Sequence, residues 1–188
     1  MLTAVVGINW GDEGKGRMVD LLAEKSDIVC RYQGGNNAGH TVINDRGEFI
    51  LNLLPSGILR PEVVNVMGNG MVVDLHHLCG EMKKLTDAGI VITPDNLKIS
   101  DKAVICMPYH KLLDALGEAA KGGGKVGTTN KGIGPCYMDK MERTGIRICD
   151  MMDDESFAEK LSAQIDRKNA IITKIYGAEP VDKEAVTA

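Results

Sequence analysis

The stretch GINWGDEGKGR (7–17) decides how the chain is read. Before it stands the β-branched run LTAVVGI (2–8); after it Met18, Leu21 and Leu22 fall at i, i+3, i+4. That pattern predicts a buried, central parallel strand over 2–8, a glycine-rich turn, and a helix from Gly14 to about Lys25. A strand–glycine loop–helix junction aims backbone N–H groups and a helix N-terminus at phosphate. Gly11, Gly14 and Gly16 permit close backbone approach, and Lys15 adds a positive charge. The spelling GxxxxGK[ST] nevertheless fails twice, with Asn9 in place of the first glycine and Gly16 in place of the hydroxyl residue. With no hydroxyl there, Mg²⁺ must find another oxygen, and Asp12 is the nearest. The ordinary alternative is a strand-to-helix turn with a capping aspartate; the density of GDEGKG weighs against it.

Strand and helix signals alternate beyond this point. DIVCRY (27–32) predicts a strand, GGNNAGH (34–40) a second glycine-rich loop, and TVINDRGEFILNL (41–53) a hairpin turning at Asn44 to Gly47. VVNVMGNGMVV (63–73) predicts strand, turn and short strand. Asp74 is placed to cap a helix ending at Gly89. IVIT (90–93) predicts a further strand, and residues 108–121 a helix with Leu112, Leu113, Leu116 and Ala119 on one face. KGGGKVGTTNKGIGP (121–135) is a third glycine-rich loop, long enough to suggest function. Asp153 or Asp154 caps a long helix carrying Phe157, Leu161 and Ile165. EPVDKEAVTA (179–188) starts a new helix behind Asp182 and stops without a closing element, the pattern of a truncated chain. The fold class expected is α/β: a largely parallel sheet flanked by helices, a P-loop-like nucleotide-binding architecture, incomplete as it stands.

Composition narrows the function classes. The 188 residues are 44% hydrophobic, enough to build a core. A net charge of −4 argues against general nucleic-acid or membrane-surface binding. The five cysteines (30, 79, 106, 136, 149) are odd in number and include no CxxC, so neither a disulfide framework nor a zinc site is suggested. No secretory signal or membrane-length apolar run is present, and a reducing, cytoplasmic compartment is the default.

In the second loop, His40 follows Asn37, Ala38 and Gly39 behind a parallel strand, where open α/β sheets bind ligands, and its ordinary pKa suits proton donation. His76, His77 and His110 lie within or at the start of helices and read as structural or surface residues, with no carboxylate or cysteine at ligand spacing. The third loop offers hydroxyls and backbone donors, followed by Lys140, Arg143 and Arg147. Arginine suits phosphate, although a solvated basic face explains each charge alone about equally well.

GINWGDEGKGRMVDLLAEKSDIVCRYQGGNNAGHTV resembles the N-terminus of the adenylosuccinate synthetases, whose pattern there is GxQWGDEGKGK followed by RxxGGxNAGHT. LLPSGIL (53–59) and GTTNKGIGPCYMDK (127–140) are similar to two further segments of that family, in the same order. The resemblance implies that residues 1–188 are the N-terminal part of such a domain, with the C-terminal remainder of the family chain absent. It implies a GTP-dependent ligase that joins IMP and L-aspartate with Mg²⁺ to give adenylosuccinate, GDP and phosphate through 6-phosphoryl-IMP, in AMP synthesis.

Carried over residue by residue, Asp12 matches the base that takes the N1 proton of IMP and also binds Mg²⁺; O6 then attacks the γ-phosphorus of GTP. His40 matches the acid at the transferring phosphate, Lys15 the loop lysine, and the Gly39 carbonyl the second protein ligand of the metal. Gly11, Asp12, Glu13, Gly14, Lys15, Gly16 and Arg17, with Gly39, His40 and Thr41, match GTP contacts. Asp12, Glu13, Gly14 and Lys15, with Asn37, Ala38, Gly39, His40 and Thr129, match IMP contacts. Arg143 matches an arginine reaching the IMP of a neighbouring subunit, which implies a homodimer.

Asn9 stands where the family has Gln, and Arg17 where it has Lys. The TKxD-type guanine motif and the aspartate-binding arginine loop of the family's later segments are absent from these 188 residues. Two other readings stand beside the ligase. One is a truncated, catalytically incompetent nucleotide-binding or interaction piece; the other is a general P-loop nucleotide-binding protein, which the missing Ser/Thr disfavours.

Overall fold

The computed structural model describes residues 1–9, 13–44 and 47–187. The elements are α1 (Lys15–Ala23), β1 (Ile28–Gly34), β2 (His40–Asn44), β3 (Gly47–Leu51), β4 (Val64–Val73), α2 (Leu75–Asp87), β5 (Leu97–Ile99), β6 (Val104–Ile105), α3 (Pro108–Ala120), α4 (Ile133–Glu142), α5 (Asp154–Lys174) and α6 (Lys183–Thr187). They fall into two compact units, residues 1–71 with 76–100 and residues 72–75 with 101–188.

In the first unit, β4 pairs in parallel with β1 on one side and β5 on the other, and β2 and β3 form a separate antiparallel hairpin. The residues between Asn44 and Gly47, where the hairpin turn is expected, lie outside the described residues. The MGNG stretch, expected to turn, is continuous strand. A Cβ on Gly70 would lie 2.1 Å from the Tyr32 carbonyl oxygen, and one on Gly68 3.1 Å from the Tyr32 Cα. These glycines therefore serve close strand packing beside the register shift between Arg31 and Gln33, not chain reversal.

Two expected strands are absent. Residues 2–8 form none; Leu2 and Ile8 are 97% and 93% exposed, and no strand pairs with this run among the described residues. A β-branched run has no ladder to hold it extended without a neighbour, and Met18, Leu21 and Leu22 of α1 are likewise exposed. Residues 90–93 are also irregular, and the strand lies further on, at β5. Asn96 replaces the ladder there: its Oδ1 accepts from the Thr93 N–H at 2.8 Å and its Nδ2 donates to the Val91 carbonyl at 2.8 Å. α2 follows Asp74 as expected and gives way to Gly89 at φ 82°, a left-handed value that favours glycine.

In the second unit, β6 pairs in parallel with Val72 and Val73 at the end of β4. Ile105, Met107, Tyr109, Ile146, Leu161 and Ile165 pack into one buried cluster. α5 begins at Asp153, whose carboxylate accepts from the Ser156 N–H at 2.8 Å, with Asp154 and Glu155 in the first turn and Lys174 in the last. Asp182 accepts from the Glu184 N–H at 2.9 Å and opens α6. The expected α3 forms, except that Ala119 is exposed while Glu118 on the same helix is buried.

Candidate functional site

The first unit brings two of the three glycine-rich loops together. Gly14, left-handed at φ 76°, turns the chain into α1, and the Met18 N–H donates to the Gly14 carbonyl at 3.2 Å. Gly16 is buried in the first helical turn, and a Cβ there would lie 2.7 Å from both Cβ and Cγ of His40. The absence of a side chain at residue 16 lets His40, the first residue of β2, rest against the start of α1. A serine or threonine at that position would need the space the imidazole occupies. Of the expected site residues, Glu13, Gly14, Lys15, Gly16 and Arg17 therefore share this neighbourhood with Asn37, Ala38, Gly39, His40 and Thr41. Gly11 and Asp12 lie outside the described residues.

Glu13 is an acid in a loop read as facing phosphate, and its charge is met within the loop. Its carboxylate pairs with the Lys15 ammonium and accepts from the Asn9 N–H at 2.9 Å. The Lys15 contact, above all, holds the Glu13 carboxyl below its ordinary pKa. The charge of Lys15 is thus met locally by Glu13. His40 also departs from expectation: burial first, then the charges of Arg31 and Lys15, lower its pKa. In the ligand-free protein its neutral form is favoured, and negative charge placed beside it works in the opposite direction.

Behind the second loop stands a network that sequence reading missed. Glu81 of α2 is buried and accepts from the backbone N–H groups of Asn52 (2.9 Å), Leu53 (2.9 Å) and Leu54 (3.2 Å). The Asn52 amide donates to the Ala38 carbonyl at 3.1 Å, and its Oδ1 lies 3.1 Å from His77 Nε2. Arg31 donates to the carbonyls of Asn52 and, at 2.8 Å, Gly35. A Cβ on Gly39 would lie 3.2 Å from the Asn52 amide nitrogen, so this loop is held close to its support. His77, expected to be structural or on the surface without a partner at ligand spacing, lies 3.8 Å from Glu81, four residues on. That i, i+4 spacing was the available signal.

The second unit carries Thr129 and Arg143. Glu118 gathers the third loop: it accepts from the N–H groups of Val126 (3.2 Å), Gly127 (2.6 Å) and Thr128 (3.2 Å) and pairs with Lys121 at 2.9 Å. The Lys121 contact first, and those backbone donors, hold the Glu118 carboxyl down to about 2. Thr129 is exposed, as are the residues of this loop on either side of it. Arg143 is exposed at the C-cap of α4, left-handed at φ 61°, with its N–H directed to the carbonyls of Asp139 and Lys140. His110 corrects the reading of an isolated structural histidine. It is fully buried, 3.0 Å from Asp139, with Cys106 four residues before it and Cys136 close by. Burial disfavours its charge, but the bonds to Asp139 and Cys106 outweigh this and raise its pKa.

The adenylosuccinate synthetase family model matches residues 4–188. The chain belongs to the adenylosuccinate synthetase family. It is 55% identical over 176 residues to the adenylosuccinate synthetase of Clostridioides difficile strain 630, a match covering 94% of this chain and 41% of that one. With the enzyme of Clostridium kluyveri it shares 53% over 182 residues, covering 97% and 42%. Among solved structures, a fully ligated adenylosuccinate synthetase from Plasmodium falciparum superposes with a TM-score of 0.83 at 39% identity, over 96% of this chain and 41% of that chain. A succinoaminodeoxyadenylate synthetase from cyanophage S-2L, bound to dGMP and dATP as energy donor, superposes with a TM-score of 0.54 at 26% identity, over 71% and 36%. The chain thus spans about two fifths of the adenylosuccinate synthetases it matches, and its α/β fold is the corresponding part of theirs.

Proposed function

We propose that these residues are the phosphate-handling N-terminal portion of a ligase that joins IMP and L-aspartate at the expense of GTP. The observation that carries the reading is the seat of His40 against Gly16. It joins the GDEGKG helix start to the NNAGH loop, so that a lysine, a helix N-terminus and an imidazole face one region. Phosphoryl transfer needs positioning and charge neutralisation more than covalent help, and these groups supply both.

In this reading Lys15 leaves Glu13 for the phosphates of GTP. Asp12 takes the N1 proton of IMP, O6 attacks the γ-phosphorus, and His40 donates an N–H to the phosphoryl oxygens in transit. The amine of aspartate then displaces phosphate from C6. Thr129 binds IMP, and Arg143, exposed at the cap of α4, reaches the IMP of a second subunit in a homodimer. Mg²⁺, when bound, would supply charge neutralisation to the phosphates. The residues present fit a hard cation through oxygen alone. His40 fills the space a hydroxyl side chain at residue 16 would need, and Gly39 is exposed; its carbonyl and the carboxylate of Asp12, which lies outside the described residues, would hold the ion.

The test is a chimera in which residues 1–188 replace the matching segment of the C. difficile relative. Adenylosuccinate formation from IMP, aspartate and GTP is expected, with loss of turnover in Asp12→Asn and His40→Asn. A folded chimera without activity, or one indifferent to both substitutions, overturns the reading. Running the same assay with dGMP and dATP separates it from the chemistry of the cyanophage enzyme.

A further inference from the structure

Cys106, His110 and Cys136 take no part in the function proposed above. Among the described residues they are the one cluster of three or more His, Cys, Asp or Glu side chains whose donor atoms all lie within 4.8 Å of one another, and all three residues are buried. They come from three places: Cys106 directly follows β6, His110 stands in the first turn of α3, and Cys136 in the first turn of α4. The two thiols bond to each other and Cys106 to His110, and both also approach main-chain oxygens. Cys106 Sγ lies 3.4 Å from the Lys131 carbonyl and 3.7 Å from that of Gly132, and Cys136 Sγ lies 3.5 Å from that of Ile105.

A second, independent observation concerns the imidazole. His110 Nε2 lies 3.0 Å from Asp139 Oδ2, and the other oxygen of Asp139 pairs with the buried Lys168 ammonium. A carboxylate locked on one ring nitrogen fixes the tautomer and leaves Nδ1 as the electron-pair donor. Metal-binding histidines are commonly oriented in this way. Nδ1 at present accepts from the Met107 N–H at 2.9 Å, a contact it would exchange for the metal bond.

We propose that Cys106, Cys136 and His110 form a binding site for a thiophilic d¹⁰ cation, Cu⁺ or Zn²⁺. Two thiolates and one imidazole are the donors such ions select. Metal–sulfur bonds of about 2.3 Å and metal–nitrogen bonds of about 2.0 Å place donors roughly 3.5–4 Å apart, so the cluster closes on an ion by contracting at most about 1.3 Å. Binding releases the two thiol protons to solvent. Three protein donors satisfy trigonal Cu⁺, and Zn²⁺ adds a fourth. The carbonyls of Lys131 and Gly132 beside Cys106 belong to the third glycine-rich loop, so the ion would brace the chain just beyond Thr129.

The experiment titrates the full chain with Cd²⁺ under reducing conditions and follows the thiolate-to-metal ultraviolet band. Saturation at one ion per chain is expected, with loss of the band in Cys106→Ser and Cys136→Ser and its retention in Cys30→Ser and Cys79→Ser, which alter exposed thiols. Asp139→Asn should weaken binding by about 10- to 100-fold. Should the cysteine variants fail to fold, X-ray absorption of the unaltered chain loaded with Zn²⁺ decides. A shell with two sulfurs and an imidazole supports the site; one of oxygen and nitrogen alone overturns it. A band indifferent to Cys106 and Cys136, or none at all, overturns it equally. Competition between Cu⁺ and Zn²⁺ then names the cation.

Discussion

Gly16 and His40 are packed so closely that a single added carbon on residue 16 would lie 2.7 Å from the His40 side chain. Gly16→Ser, which removes one of the two departures from the common P-loop spelling, should therefore weaken the protein by about 1–3 kcal/mol through overpacking. It should also push His40 away from the start of α1. Urea midpoints of the chain, and turnover of the chimera described above, would read both effects. A serine variant as stable and as active as the parent would remove the steric explanation for this glycine.

Glu81 carries three backbone N–H bonds on a buried carboxylate, and Asn52, whose N–H it accepts, in turn holds Ala38. Glu81→Ala leaves those donors without an acceptor and is expected to cost about 3–5 kcal/mol. Glu81→Gln keeps the shape and one acceptor oxygen and should cost less. Denaturant unfolding ranks the two variants, and equal losses would show that packing, not the carboxylate, matters here.

The Gly70 position meets main chain, not a movable side chain, since a Cβ there would lie 2.1 Å from the Tyr32 carbonyl oxygen. Gly70→Ala should thus destabilise by about 3 kcal/mol or more, because strand β1 itself must shift. Gly80→Ala provides the contrast, because nothing lies within 4 Å of a Cβ there. Its position inside α2 favours alanine by about 1 kcal/mol. A thermal melt in which both variants move the same way would contradict this assignment.

The Glu118 carboxyl is held down to about 2 in the folded chain, against an ordinary 4.5. A lowered carboxylate pKa means that the unfolded chain binds the proton more tightly. The stabilising contribution is therefore complete above about pH 4.5 and is lost as pH falls through about 2. The amide resonances of Val126, Gly127 and Thr128 should titrate with a midpoint near that lower value, and Glu118→Gln should abolish the titration. Amides that instead follow an ordinary carboxylate curve would show that Glu118 does not gather the loop.

The chain's own order of residues settles a good deal. The helix start at Gly14 and Lys15, the hairpin strands on either side of residue 45, the Asp153 cap and the helices α2, α3 and α5 follow from local spacing, glycine and capping chemistry. So does the presence of three glycine-rich loops. These are short-range effects, decided within a turn or two of helix. Residues 2–8 and 90–93 lie beyond that reach. One run lacks a neighbouring strand among the described residues, and in the other Asn96 takes up the backbone groups. MGNG likewise has the composition of a turn, and only the nearness of the Tyr32 backbone shows why its glycines are in a strand. Gly16 looked like a defect in a motif until His40, from another loop, filled the space beside it. The roles of Glu81, Asn52 and Glu118 and the grouping of Cys106 with His110 and Cys136 arise in the same manner. Each depends on residues brought together through space by packing, which no spacing along the chain encodes.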